Sequence, residues 1–449
     1  MKYKTLLPVL FLLSVTSCQS NLGLNQLTKP SNNKISTTNN VTLSEKTYNS
    51  YVSFAKKFTS LMMEVNNSAN EQSLGISIPD AYICFAITGA ISNDAARNDV
   101  LSYLELDNVS ELRTSVKELV DTLGTLYKTD NKLYGGYNLN SVWLNPDYVS
   151  LVKDKDEELY YDLEHYYDAT MYFEALTNET ANQYLRDYGL KNLPTPKIEL
   201  PGDPCALNAM SVFYCLDYFD NELIDTYKKQ YQSGNHKMDY SFGSTLKKVD
   251  YIGKSQIAEV YENENFYGSN MRIGLLNADF FLPNDKNAMP SSILNDVLNK
   301  NYKIKKGSIK YPGEESFEET NFHDVSIKAP YFSLDNKIAL DREALSRILP
   351  VITKNGAGER LVKANDGSNL YLDYIMQFSK MKFNYEGFYS CSVTISGERA
   401  TSAGTEYKRF ELNLDHPYLF EINKNVRVDN NRHSIPIVIG EIVDPIYKD

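Results

Sequence analysis

The chain has 449 residues, with 46 Lys and Arg against 58 Asp and Glu, for a formal charge of -12. Acidity of this size argues against a nucleic-acid partner, because a phosphate backbone selects clustered Lys and Arg. The five histidines show no metal-ligand spacing and nothing in the spacing of the five cysteines implies pairing, so neither a metal nor a cofactor is expected.

Lys2 and Lys4 precede the apolar run LLPVLFLL and a small-residue stretch that ends at Cys18. This order predicts a secretory signal peptide over residues 1–17, too short to span a bilayer permanently. Val15-Thr16-Ser17-Cys18 resembles the bacterial lipobox, which implies lipidation of Cys18 and a chain anchored in the cell membrane on its extracellular face. Residues 18–41, rich in Asn, Ser, Thr and Lys, have little to bury and predict a flexible tether. Residues 42–449 hold no second linker and no internal repeat, so a single large mixed domain is expected.

Within that body, Tyr51, Phe54, Ala55, Phe58, Leu61, Met62 and Val65 recur at helical spacing, after a Thr42–Glu45 pair that fits a capping box. In SIPDAYICFAITGAISNDAARNDVLSYLEL, Pro79 opens a second, almost wholly apolar helix, and the polar stretch after it leads to a third. Asn140-Ser141-Val142-Trp143-Leu144 reads as a short buried strand, and the β-branched run at 435–443 reads as a strand buried on both faces. Cys84 and Cys215 read as small buried hydrophobes.

Near the C-terminus FNYEG at 383–387 leads into SCSVTISG and then into LDHPYLFEI. A glycine after an acidic residue lets a strand release into a loop, and the Ser and Thr that follow neither pack a core nor favour a helix. The segment reads as one built to be exposed. A search for an enzyme finds no GxSxG elbow, no HExxH, no CxxC pair and no phosphate-cradling glycine loop, so no catalytic residues are assigned. His416 reads as a structural hydrogen-bonding residue.

The order of these segments resembles the serpin family. Its motifs are matched by the Ser77–Pro79 helix start, the N-S-V-W-L strand, Asn182-Gln183-Tyr184-Leu185, Leu207-Asn208-Ala209-Met210, Leu282-Pro283-Asn284 and Pro330-Tyr331-Phe332. The FNYEG hinge, His416-Pro417 and Gly440-Glu441-Ile442-Val443-Asp444-Pro445 complete the series. The match departs at Ile78, which separates Ser77 from Pro79, and at Ala81, which replaces a second serine, so the local hydrogen bonding there is open. The resemblance implies an α+β serpin fold, with three β-sheets, roughly eight or nine helices and an exposed reactive loop on a monomer.

It also implies that the protein is not an enzyme but a bait. A serine protease, or a papain-like cysteine protease as a second class, would attack the loop as a suicide substrate, and the loop's N-terminal part would then enter the main sheet as an added strand. The family pattern makes Glu386, Gly387, Phe388, Tyr389 and Ser390 the hinge. Counting from Gly387 puts the reactive bond between Thr401 and Ser402, with Arg399 as the rival for a trypsin-like pocket. Four of the alternate residues that would turn inward, Ser390, Ser392, Thr394 and Ser396, are small, but the fifth is Phe388, whose bulk predicts overpacking and slower insertion. Gln377 stands where inhibitory members commonly keep a histidine. A non-inhibitory surface protein, acting as a binding module or protease decoy, is the alternative function.

Overall fold

The computed structural model describes residues 42–68, 72–129, 132–152, 157–190, 193, 195–219, 221–311, 316–390 and 406–447. The signal segment, Cys18 and the tether lie outside them, as do Cys391, Arg399, Thr401 and Ser402.

The first helix, Glu45–Ser68, buries Tyr51, Phe54, Ala55, Phe58, Leu61 and Met62, the stripe that its spacing predicts. Its cap is Ser44 rather than Thr42. The Ser44 hydroxyl accepts from the Thr47 amide at 3.3 Å, whereas Thr42 is held in a short strand paired with Arg427 and is not free to turn back on the helix. Helix Ile78–Ile91 is buried almost all round, with Pro79 in its first turn, where a missing N–H costs nothing. Phe54, Phe58, Tyr82, Phe85 and Tyr103 stack edge-on and face-on between the opening helices, with centroids 5.2–5.9 Å apart.

Against these helices lies a seven-stranded sheet. Its order is Phe332–Leu340, Ile375–Phe383, Gly387–Ser390, Leu207–Tyr218, Lys132–Leu144 and Leu126–Thr129, and Ala169–Tyr172 also pairs with Lys132–Leu144, in parallel. A second, eleven-stranded path carries the C-terminal strands Tyr418–Val428 and Asn431–Ile442 at one end and Phe322–Pro330 with Arg409–Asn413 at the other. The long strand Thr245–Glu262 joins the two ends, pairing with Phe266–Arg272 near its last residues and with Phe322–Pro330 along its middle. Two smaller sheets complete the set among the described residues: Gly307–Lys310 between Glu318–Thr320 and Glu406–Tyr407, and Val362–Ala364 with Val149–Leu151. Nine α-helices occur among the described residues.

The outer face of the seven-stranded sheet is covered by helix Asn178–Tyr188 and the segment after it. Trp143 is buried there, stacked on Tyr172 at 4.4 Å and edge-on to Tyr184 at 5.7 Å. Its indole N–H donates to the Ser141 hydroxyl. The side chain of Asn182 pins the Ile198 backbone on both sides, donating to its carbonyl at 2.8 Å and accepting from its amide at 3.0 Å. That fixes Ile198 and Leu200 over the middle of the sheet.

Candidate functional site: a short strand seated beside a cavity

Strand Ile375–Phe383 alternates buried and half-buried along its length, so its odd-numbered residues face the core. It ends in a tight reversal. The amides of Asn384 and Gly387 donate to each other's carbonyls at 2.9 and 3.2 Å, and the Asn384 side chain accepts from the Glu386 amide. Gly387 has φ +151°, and a Cβ there would lie 2.1 Å from the Asp217 carbonyl oxygen. Only glycine tolerates both the conformation and the approach.

The hinge expected at Glu386 to Ser390 is not displayed as a loop. Gly387–Ser390 is a strand inserted between its two neighbours. Phe388 lies opposite Phe383 on one side and Asp217 on the other, and Ser390 opposite Met381 and Cys215. The reversal at Gly387 aims the chain back along the sheet, and the backbone groups of both neighbouring strands are satisfied by it. Phe388 is 0% exposed and belongs to the main core. The bulk from which overpacking is expected is thus accommodated in the core of this structure. Tyr389 points to the other face, edge-on to Tyr218 at 5.4 Å, and its hydroxyl donates to Glu386 at 2.9 Å. Tyr385, in the reversal itself, packs on Tyr231.

Under the hinge lie a buried acid and a buried base. Burial pushes the Asp217 carboxyl well up, against the amides of Leu276 and Tyr218 that donate to it and the charge of Lys424. Burial lowers the Lys424 ammonium to about 8, and it donates to the Thr122 carbonyl.

Beyond Ser390 no ladder among the described residues joins the facing edges of the two flanking strands, residues 375–380 and 207–214. A cavity of about 420 Å³ lies along this slot. Helix Ile78–Ile91 lines it with Asp80 and Cys84, Ile198 and Leu200 line it from the covering segment, and Ser390 borders it at the hinge end. The Ser390 hydroxyl has no hydrogen-bond partner among the described residues.

The hydrogen bonding left open at the start of that helix is rebuilt around an acid. Gln377 donates to the Ser77 carbonyl at 2.7 Å and accepts from the Ser77 amide at 3.1 Å, so one amide side chain ties the strand to the helix start in both directions. Asp80 accepts from the Ser77 hydroxyl and, at 3.4 Å, from Gln377. Burial raises its carboxyl to about 6, with these donors pulling the other way. Ser379 donates to the Gly75 carbonyl at 2.8 Å and extends the tie along the strand. Asp80 was missed in the sequence; its only signal is an acid in the first turn of an otherwise apolar helix.

After residues 391–405, Glu406–Tyr407 pairs with Gly307–Lys310, and Arg409–Asn413 follows, parallel to Phe322–Pro330. His416 is buried, with its ring nitrogens 2.6 Å from Asp415 and 2.8 Å from the Pro283 carbonyl. It ties the strand entry to the neighbouring loop, the structural role expected of it.

No family model and no curated protein matches the chain. Solved structures do. The native state of tengpin, a thermophilic serpin, aligns with a TM-score of 0.62 at 16% identity, over 92% of this chain and 97% of that one. The latent state of tengpin aligns at 0.59 and 16%, over 90% and 99%. Serpin48, a highly specific serpin of the insect Tenebrio molitor, aligns at 0.59 and 14%, over 89% and 98%. With nearly the whole of each chain aligned, and with the sheets, helices and hinge segment in the order described, this α+β chain adopts the serpin fold.

Proposed function

We propose that the protein inhibits an extracellular protease by offering residues 391–405 as bait and then drawing the cut loop into the seven-stranded sheet. The observation that carries this reading is the four-residue strand Gly387–Ser390 seated at one end of a slot whose remaining length no described residue fills. Unpaired strand edges flanking an apolar cavity favour an added strand, which satisfies backbone groups on both sides and buries its alternate side chains. Continuing the observed pairing of Ser390 with Met381 and Cys215 would turn Ser392, Thr394 and Ser396 inward, all small enough for the space.

In the chemistry this implies, the protease's nucleophile attacks the carbonyl of the reactive residue. The bond to the next residue breaks, that residue leaves as a new amino terminus, and the loop stays esterified to the protease. The favoured bond is Thr401-Ser402, with Arg399 as the rival. Insertion of the freed strand then distorts the protease before water can release it. The signal segment and Cys18 favour display from a lipid anchor on the extracellular face of the cell membrane.

The test is incubation of residues 21–449 with elastase-, trypsin-, subtilisin- and papain-like proteases, followed by denaturing electrophoresis and mass spectrometry. A denaturant-stable complex releasing a fragment that begins at Ser402 supports the reading. A fragment beginning at Ala400 moves the reactive residue to Arg399. Cleavage by every protease with no trapped complex overturns inhibition in favour of a decoy or binding role.

A further inference from the structure

Strand Phe322–Pro330 carries His323, whose side chain is buried at 2% exposure. Its Nδ1 has no hydrogen-bond partner among the described residues. The ring packs against the small sheet that holds Glu406–Tyr407. Gly307, which opens the middle strand of that sheet, crosses directly over it: a Cβ there would lie 2.2 Å from the Phe322 carbonyl oxygen and 3.1 Å from both Cε1 and Nδ1 of the ring. Phe410 closes another side edge-on, with centroids 6.1 Å apart, and Ala258 lies opposite on strand Thr245–Glu262.

The hold on Glu406–Tyr407 runs through that same middle strand. Ile309 pairs with Tyr407 and Lys310 with Glu406, and the Lys408 amide donates to the Ser308 carbonyl at 3.0 Å. The Lys408 carbonyl accepts from the Asp324 amide at 3.1 Å, next to His323. Lifting Gly307 off the ring thus works directly on the attachment of residues 406–408.

The surroundings of the ring disfavour a positive charge. Burial lowers His323 below its ordinary 6.5, and Lys305 and Lys408 lower it further; Glu262 and the Lys306 backbone, which accepts from the ring, work the other way. Glu262 is already paired with Lys305 and lies opposite the exposed Lys303. On the small sheet, Lys306 is 3.1 Å from Glu319, Lys310 lies over the Phe317 ring, and Glu318 is exposed. Arg409 is 3.4 Å from Glu411 of its own strand. Asp324 and Glu259 stand one residue along from His323 and Ala258, so they point to the other face of the sheet.

We propose that His323 is an acid-released latch, which holds strands Gly307–Lys310 and Glu406–Tyr407 in place while its ring is neutral and frees them when the ring is protonated. The neutral ring donates to the Lys306 backbone, so the added proton goes to Nδ1, against the backbone of Gly307. A buried N–H without an acceptor loses its bond to water and gains nothing in return. The added charge also faces two lysines where little solvent reaches it. Turning the ring out to water removes both penalties and takes away the seat of Gly307. The seated ring binds its proton less readily than a released one, so the hold is complete above 6.5 and weakens as the pH falls from there toward the seated ring's own lower value. Over that interval the closed-to-open ratio falls by up to about tenfold per pH unit. The latch stands apart from the loop-insertion reading, since it concerns only the attachment of Glu406–Tyr407.

The experiment follows hydrogen exchange by mass spectrometry in peptides spanning 305–311 and 406–413 of the protein. Protection, corrected for the intrinsic exchange rate, is measured from pH 5 to 7.5 for wild type, His323→Gln and Lys408→Met. The other four histidines are present in all three proteins, so the difference between wild type and His323→Gln is the quantity read. The expected wild-type protection of both peptides is level above about pH 6.5 and falls below it by up to about tenfold per unit, with no such break in His323→Gln. Lys408→Met removes one of the charges that disfavour the protonated ring, so its fall is smaller than in wild type, and this comparison decides the matter if His323→Gln does not fold. Parallel profiles in wild type and the variants overturn the latch. Acid loss of protection in one of the two peptides without the other overturns it as well.

Discussion

Phe388→Ala tests whether the hinge is held in the sheet by its own packing. The strand it anchors has four residues, so few ladder bonds hold it, and its attachments can be ranked. Ser390 offers a hydroxyl without a partner among the described residues. Tyr389 offers one hydrogen bond to the half-buried Glu386 and an edge-on contact with Tyr218, the latter worth about 0.5–1.5 kcal/mol. Phe388 is 0% exposed, and truncating a fully buried phenylalanine costs about 3–5 kcal/mol. It is the largest single term. If the hinge opens as a local unit, that loss speeds amide exchange of residues 388–390 by between about two and three and a half orders of magnitude. Exchange resolved by mass spectrometry on a peptide spanning 384–390 measures this, with Tyr389→Phe as the reference, since loss of one hydrogen bond allows only about tenfold. If Phe388→Ala exchanges no faster than Tyr389→Phe, the ranking is wrong and the backbone ladder holds the hinge. If it proves more inhibitory without loosening the hinge, then the bulk of Phe388 does slow insertion despite its fit in the unfilled state.

Gly387→Ala forces a Cβ into the Asp217 carbonyl at a backbone conformation that only glycine adopts; a cost of at least about 1–3 kcal/mol is expected, seen as a lower thermal midpoint with faster exchange confined to the hinge. Asp415 is held at about 2: burial works against ionisation, but hydrogen bonds from His416 and Lys286 outweigh it. Because that lies below the ordinary 3.8, its contribution to stability is present above pH 3.8 and is lost as the pH falls through 2. The side chain is 31% exposed, so solvent screening reduces a ceiling of about 2 kcal/mol to about 1; Asp415→Asn should melt lower at pH 7, and the two melting curves should converge below pH 2. Metabolic lipid labelling should mark the wild type and leave Cys18→Ser unlabelled, and an unlabelled wild type of correct mature mass would refute lipidation.

The sequence by itself determined the parts of this protein that depend on local pattern. Helical spacing at 51–65 fixes which face of the first helix is buried, because 3.6 residues per turn allows no other stripe. The proline at 79 and the glycine at 387 mark a helix start and a reversal, because each restricts or frees one backbone angle whatever surrounds it. The β-branched run at 435–443 announces a strand buried on both faces. Family order then implied the fold, which the structure bears out.

What the tertiary structure decided depends on partners far away in the chain. That the hinge is seated rather than displayed follows from the gap between strands Leu207–Tyr218 and Ile375–Phe383, which no local window contains. The tie between Gln377 and Ser77 spans 300 residues, and it makes Asp80 part of the slot instead of an ordinary acid in a first helical turn. Thr42 fits a cap by spacing, yet a strand partner at Arg427 claims it. Phe388 reads as too large for an inward-turned position of the hinge, yet it is buried in the main core opposite Phe383 and Asp217. Local sequence sets what each residue is able to do, and only the packing of distant segments sets which of those capacities is used.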